Sequence, residues 1–144
     1  MKKWVLLSVI ILLLILMLFW SQRTTTYPLM QEKDAVAQID IVNINNFKII
    51  NTGSFDQIVS VKRIDADEHL TFFSTFRDLP CYKSLGPSQE CLEGKAIRFI
   101  FQDGAFQLVG AETSFYCSAD NERSYMAYYF DYELFNQYIL MMEQ

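Results

Sequence analysis

The chain has little of what most enzyme motifs require. Its 144 residues include one histidine, five glycines and three cysteines. Any Ser-His-Asp set would depend on His69 alone, and the sequence has no glycine-rich phosphate loop and no cluster of metal ligands. We therefore predict a protein without a cofactor or a bound metal, and one that is not an enzyme.

Positive charge is scarce in everything that follows residue 23. Nine Lys and Arg residues stand there against seventeen Asp and Glu residues, which leaves a net charge of −8. A domain with this charge repels a nucleic-acid duplex and an anionic lipid surface, so neither is an expected partner of the domain as a whole. A basic protein partner would suit it better.

One long stretch, residues 4–20, has no charge, no glycine and no proline. As a helix its seventeen residues would rise about 25 Å, close to the ~30 Å of a hydrocarbon core. Trp4 and Trp20 stand at the two ends, where indole rings favour the headgroup region, and Lys3 and Arg23 can extend their charges to the interface. The stretch therefore predicts a single membrane-spanning helix.

The flanks of this stretch predict its fate and its orientation. A cleaved signal peptide needs small residues before the cleavage site, whereas two bulky aromatic residues precede Ser21, so a retained signal anchor is favoured over cleavage. Lys2 and Lys3 outweigh Arg23, which places the N-terminus in the cytoplasm. The rest of the chain is then extracytoplasmic, or periplasmic at a bacterial inner membrane, with a eukaryotic type II anchor as the alternative.

The chain accordingly divides into four parts. Residues 1–3 are a cytoplasmic end, residues 4–20 the transmembrane signal anchor, residues 21–30 a tether, and residues 31–144 one extracytoplasmic domain. With about eight residues at no more than ~3.5 Å each, the tether would keep the domain within roughly 28 Å of the bilayer. The partners of the domain would then also lie close to that surface.

The first part of the domain alternates short apolar runs with turn residues. Runs at 39–44, 47–50 and 58–62 are separated by Asn45-Asn46 and by an Asn-Thr-Gly-Ser segment. This pattern predicts three short strands joined by turns.

Two helices are expected in the domain. The first begins at Asp65, with Glu68 three residues later completing a capping box. The second closes the chain and is capped by Asp131. Helical spacing predicts the core-facing stripes as Leu70, Phe73 and Phe76 in the first helix, and as Tyr132, Phe135, Ile139 and Met142 in the second.

A β-hairpin is predicted around Asp103-Gly104, the dipeptide that a two-residue type I′ turn favours. Pairing of Gln102 with Ala105 sets its register, with one face in the core and the other open to water. The expected core face consists of Ile97, Phe99, Phe101, Phe106 and Leu108. The wet face carries Arg98, Gln102 and Gln107, and Ile100 and Val109 make it partly apolar.

The hairpin continues into a meander whose last strand, residues 124–130, is rich in tyrosine. Apolar residues occupy both faces of this strand, which favours a strand covered on both sides. The alternative is an exposed tyrosine surface that recognises a partner. Tyr125, Tyr128 and Tyr129 would form that interaction surface.

Two of the three cysteines are predicted to form a disulfide. Cys81 and Cys91 flank a loop with Gly86 and Pro87 in its middle, and outside the cytoplasm such a pair is more often bridged than free. A thiol redox pair is the weaker alternative, because the Cys-x-x-Cys spacing is missing. Cys117 is left as a buried strand residue or as a rival partner in the bridge.

Two further chemistries are open but disfavoured. His69 could help to hold a metal, although no second histidine or cysteine stands at ligand spacing. Carboxylate pairs at the two helix starts could serve as acid and base, although a helix N-terminus favours the charged form that a general acid must not have. These pairs are Asp65 with Glu68 and Asp131 with Glu133.

The sequence thus predicts an α+β protein: one transmembrane helix, then a small domain with an antiparallel sheet and two helices packed on it. We expect a membrane-anchored, extracytoplasmic binding or accessory protein of the cell envelope, acting on another envelope protein or a ligand near the membrane surface. The alternative is a small envelope enzyme that uses carboxylates or a thiol.

Overall fold

The computed structural model of the chain describes residues 2–21, 24–25, 35–48, 57–83, 91–112, 114–120, 122–126 and 128–144. The helices within these residues are α1 (Lys2–Ser21), α2 (His69–Arg77) and α3 (Tyr132–Glu143). The strands are β1 (Thr24–Thr25), β2 (Val36–Lys48), β3 (Ile58–Ile64), β4 (Cys81–Lys83), β5 (Cys91–Phe101), β6 (Phe106–Val109), β7 (Ser114–Cys117), β8 (Arg123–Met126) and β9 (Tyr128–Phe130).

The strands form two antiparallel sheets, which confirms the α+β class. The large sheet has six strands in the order β3-β2-β5-β6-β7-β8, and the small sheet has three in the order β1-β4-β9. The predicted tyrosine strand at 124–130 is divided between them, because β8 pairs with β7 while β9 pairs with β4. The chain therefore passes from the large sheet to the small one between β8 and β9.

The main core lies between one face of the large sheet and the helices α2 and α3. Phe99 of β5 stands at its centre and is fully buried. The rings of Phe72, Phe73 and Phe76 on α2 have their centroids 6.0, 5.9 and 5.8 Å from that of Phe99. Aromatic pairs at these distances add to the hydrophobic gain from burying the rings.

The start of α2 differs from the predicted one. A 3₁₀ turn, Ala66–Glu68, precedes the helix, and neither Asp65 nor Glu68 makes a side-chain capping bond, so the predicted capping box is wrong. The inward stripe is also rotated, since Leu70 is 77% exposed while Phe72 is buried. A stripe of Phe72, Phe73 and Phe76 follows the i, i+1, i+4 spacing that one helix face also allows.

The closing helix α3 begins where the sequence predicts. Asp131 Oδ1 accepts a hydrogen bond from the Leu134 N–H at 3.0 Å, which confirms the cap. Phe135 and Ile139 are buried as expected, but Tyr132 is 65% exposed, and Tyr138 takes the inward position instead. The Tyr138 hydroxyl donates to the carbonyl of Phe72 at 3.0 Å, and burial raises its pKa.

The predicted hairpin exists, but its register is shifted by one residue. The Phe101 N–H donates to the Ala105 carbonyl, and Ile100 stands opposite Phe106. The turn therefore contains residues 102–104, with Gly104 at a φ of 88° that favours glycine. A three-residue loop with glycine in this conformation is a common alternative to the type I′ turn.

This shift moves side chains across the sheet. Phe106 and Leu108, predicted for the core face of Phe99, lie on the opposite face, while Gln107 moves to the core face and is buried. The predicted assignment of the wet face is therefore wrong.

Strand β2 is longer than the pattern suggests. The predicted turn at Asn45-Asn46 lies inside this strand, and its pairing with β5 shifts register between Ile44 and Phe47. The two asparagines therefore occupy an irregularity of one strand rather than the turn between two.

At the N-terminal end, α1 extends over 20 residues, and its described side chains are exposed. None of the helices within the described residues is both long and apolar enough to cross a membrane. Part of the predicted tether at 21–30 is ordered, since Thr24 and Thr25 of β1 pair with Tyr82 and Cys81 of β4.

Truncation of Phe99 tests the position of the core. Phe99→Ala should lower the free energy of unfolding by about 3 to 5 kcal/mol, because it removes a buried ring on which three others pack. Leu70→Ala, at a position predicted as core but exposed in the fold, should change it by less than about 0.5 kcal/mol. Urea unfolding of the full chain in detergent measures both, and similar losses would contradict the rotation of α2.

Candidate binding site

The second face of the large sheet is apolar rather than wet. It is the face opposite α2 and α3, and it carries its own buried cluster. The shifted register of the β5–β6 hairpin supplies part of that cluster. Its buried members are Val42, Ile44, Ala96, Leu108, Phe115 and Cys117, and Ile58 and Phe106 pack against them half-buried.

An ionic cluster lies on the same face. Asp40 of β2 stands opposite Arg98 of β5 on one side and Arg63 of β3 on the other, so the three side chains form one row across the sheet. Arg98 Nη2 donates to Asp40 Oδ2, and Arg63 Nε lies 3.4 Å from Oδ1. Gln38 Nε2 lies 2.9 Å from both carboxylate oxygens.

Burial decreases from the carboxylate outward. The Asp40 side chain is fully buried, that of Arg98 is 24% exposed and that of Arg63 is 66% exposed. A buried carboxylate is tolerated only when it is paired and hydrogen-bonded, so Asp40 depends on Arg98 in particular. Because two guanidinium groups surround one carboxylate, the cluster has a net charge of +1 within a domain that is acidic as a whole.

A cavity of about 270 Å³ lies beside this cluster. Arg98 is one of its lining residues, and the others are apolar or glycine. The Nε atom of Arg98 is buried and has no hydrogen-bond partner among the described residues. The cavity can therefore hold an apolar group next to a partly exposed cation. Its lining consists of Ile58, Arg98, Ile100, Gly104 and Phe106.

The residues of the predicted tyrosine surface lie on two strands of different sheets. Tyr125 lies in β8, but its side chain is outside the described residues. In β9, Phe130 is buried in the main core and Tyr128 packs against the same core. Because side chains alternate along a strand, Tyr129 points to the opposite face of the small sheet. Burial raises the pKa of Tyr128, and the neighbouring Cys81 thiol raises it further.

Tyr82 is a surface tyrosine that the sequence pattern does not indicate. It stands opposite Tyr129 in the small sheet and is 44% exposed. It was included in the predicted Cys81–Cys91 loop, and no periodic pattern identifies a strand as short as β4.

The cysteines occupy different places in the fold. Cys81 is buried in the main core, and Cys117 is buried on the second face of the large sheet. Burial raises the pKa of the Cys117 thiol, with Arg123 opposing the shift. The side chain of Cys91 and the loop at 84–90 are outside the described residues, so the Cys81–Cys91 disulfide stays a prediction.

The other candidate residues do not converge on one site. His69 Nε2 lies 3.3 Å from the backbone oxygen of Ile64. Asp65 and Glu68 are both exposed, and Asp131 caps α3. Across the described ranges, no three His, Cys, Asp or Glu side chains are grouped so that they could hold a metal ion.

Comparison of the chain with protein-family models, with curated proteins and with solved structures finds no match.

The two arginines of the ionic cluster should differ in their effect on stability. Arg98→Ala removes the main counter-charge of a buried carboxylate and should lower the free energy of unfolding by about 3 to 5 kcal/mol. Arg63→Ala removes an exposed partner and should cost about 1 kcal/mol or less. Urea unfolding under one set of conditions compares the free energies of unfolding of the two variants. If Arg98→Ala lowered this free energy only slightly, Arg98 would lie on a water-exposed face, as the sequence predicts.

Proposed function

We propose that this chain is a single-pass membrane protein with its N-terminus in the cytoplasm and its α+β domain outside the cytoplasmic membrane. The domain binds another envelope protein near the membrane surface and does not catalyse a reaction. The observation that carries this proposal is the exposed apolar surface of helix α1, which is joined closely to a domain that has an apolar cavity beside a cationic cluster.

The membrane anchor is supported by the composition and the exposed surface of α1. Residues 4–20 of this helix carry no charge, no glycine and no proline, which is the composition expected of an anchor. The large apolar side chains from Trp4 to Leu18 are between 44 and 75% exposed. Water is a poor solvent for such a surface, whereas acyl chains can cover it on all sides.

The binding role is supported by the second face of the large sheet. At about 270 Å³ the cavity is slightly smaller than the ~300 to 1,000 Å³ of drug-sized ligand sites. Such a volume suits one apolar side chain of a partner, and the +1 cluster favours a carboxylate beside it. The ligand we propose is therefore a protein segment in which an apolar residue stands next to Asp or Glu.

The enzyme alternative has weaker support. Asp40 is the buried carboxylate of the site, and each of its two oxygens already accepts hydrogen bonds from Gln38 and an arginine, so neither is directed toward a substrate. The raised pKa of Cys117 reduces the thiolate that a nucleophile needs. Both features suit a fixed structural role better than proton transfer or thiol chemistry.

The orientation can be tested with reporters. A periplasmic alkaline phosphatase fused after Gln144 should be active in a bacterial host, while a fluorescent protein that folds only in the cytoplasm should stay dark at the same position. The mature protein should keep its N-terminal residues and sediment with membranes. Recovery of a chain that begins near Ser21 in a membrane-free extract would contradict the anchor.

The binding site can be tested by photo-crosslinking in intact membranes. A photoreactive residue at Gln102, two residues before cavity residue Gly104, should form an adduct with the partner protein. A photoreactive residue at Gln137, on the exposed side of α3, should not. The crosslinked partner peptide should contain an apolar residue beside Asp or Glu.

A matched pair of arginines supplies the control for this experiment. Arg63→Gln should reduce the Gln102 adduct, because it removes a cation of the cluster. Arg77→Gln should leave the adduct unchanged, since Arg77 is equally exposed but pairs with Asp78 away from the cavity. Equal adducts at Gln102 and Gln137, or an adduct insensitive to Arg63→Gln, would exclude this face as the site.

A further inference from the structure

The small sheet is joined to the anchor helix by very little chain. Helix α1 ends at Ser21, and β1 begins at Thr24. Three residue steps span at most about 10 Å. The first strand of the small sheet therefore starts within about 10 Å of the end of α1, much closer than the roughly 28 Å that the sequence allows the domain as a whole.

One face of the small sheet points away from the core. Cys81 and Phe130 stand opposite each other in β4 and β9, and both are buried in the main core. Side chains alternate along a strand, so the next pair, Tyr82 and Tyr129, lies on the outward face. Tyr82 is 44% exposed, and Tyr129 is partly exposed beside it.

The spacing of the strands puts this pair near the bilayer. Neighbouring strands lie about 4.8 Å apart, so β4 is about 5 Å and β9 about 10 Å from β1. The polar layer on each side of the hydrocarbon core is about 5 to 8 Å thick. A small sheet lying along the membrane surface would thus bring both rings to the headgroup layer, where the amphipathic tyrosine side chain is favoured.

We propose that Tyr82 and Tyr129 form a membrane-contacting face, which docks the domain on the headgroup layer of a zwitterionic bilayer. This inference rests on the proposed membrane anchor. A zwitterionic surface is the suitable occupant, because the net charge of −8 beyond residue 23 disfavours anionic lipid. Docking would hold the domain in one orientation above the membrane, with the anchor and the tyrosine pair as two separate points of contact.

Fluorescence quenching by brominated lipid tests this contact in the full chain. Trp4 and Trp20 are first replaced by phenylalanine, and a single tryptophan is then placed at Tyr82, at Tyr129 or at Val59. Val59 is the matched control, because it is 52% exposed on edge strand β3 of the large sheet. Each variant is reconstituted in nanodiscs of phosphatidylcholine with or without bromine near the headgroup.

The expected result is a loss of fluorescence with brominated lipid for Tyr82→Trp and Tyr129→Trp, and little loss for Val59→Trp. Nanodisc-bound protein with no quenching at Tyr82→Trp and Tyr129→Trp would overturn the docking face and leave the anchor standing. Equal quenching at all three positions would also overturn it, because lipid would then contact the domain without preference. Failure of the chain to purify with nanodiscs would instead contradict the proposed anchor.

Discussion

The rest of the domain depends on the register between β2 and β5. In this long ladder Ile39 pairs with Phe99 toward the aromatic core, while the next pair, Asp40 with Arg98, faces the other way. A slip of one residue would turn one of the two strands over, so that Asp40 or Arg98 would enter the aromatic core without its partner and Ile39 or Phe99 would leave it, at a cost of several kcal/mol. The aromatic core and the ionic cluster thus require the same register, although they lie on opposite faces of the sheet. Strands β3 and β6 then follow the faces that this pair defines.

How far the sequence predicts the fold depends on how local each signal is. The α+β class and the Asp131 cap follow from periodicity and from one side chain acting within three residues, and both are confirmed. The predicted hairpin register is wrong because Gly104 also suits the left-handed position that ends a three-residue loop. The alternation of apolar residues along β5 and β6 is the same with a two-residue and with a three-residue loop. The pairing of β6 with β7 and the packing of Phe106 on Phe115 favour the observed register.

The candidate sites were less predictable, because their members are distant in sequence. Asp40 is 23 residues from Arg63 and 58 from Arg98, and no motif joins them. Their row exists because three strands place them side by side. Tyr82 was missed for a related reason: a strand of three residues has no visible period and exists only because β1 and β9 pair with it. The sequence indicates the tyrosine-rich segment as one strand. Its division between two sheets depends on the pairing of β8 with β7 and of β9 with β4.

Strand β1 changes the mechanical relation between the helix and the domain. A flexible tether would let the domain rotate and reach partners at a distance, whereas pairing of β1 with β4 attaches the chain to the sheet almost as soon as α1 ends. Two residue pairs would be unstable alone. Here β4 is also paired with β9 and fixed in the core through Cys81, so β1 adds to an edge that already exists. A force applied at the helix would therefore act on the small sheet.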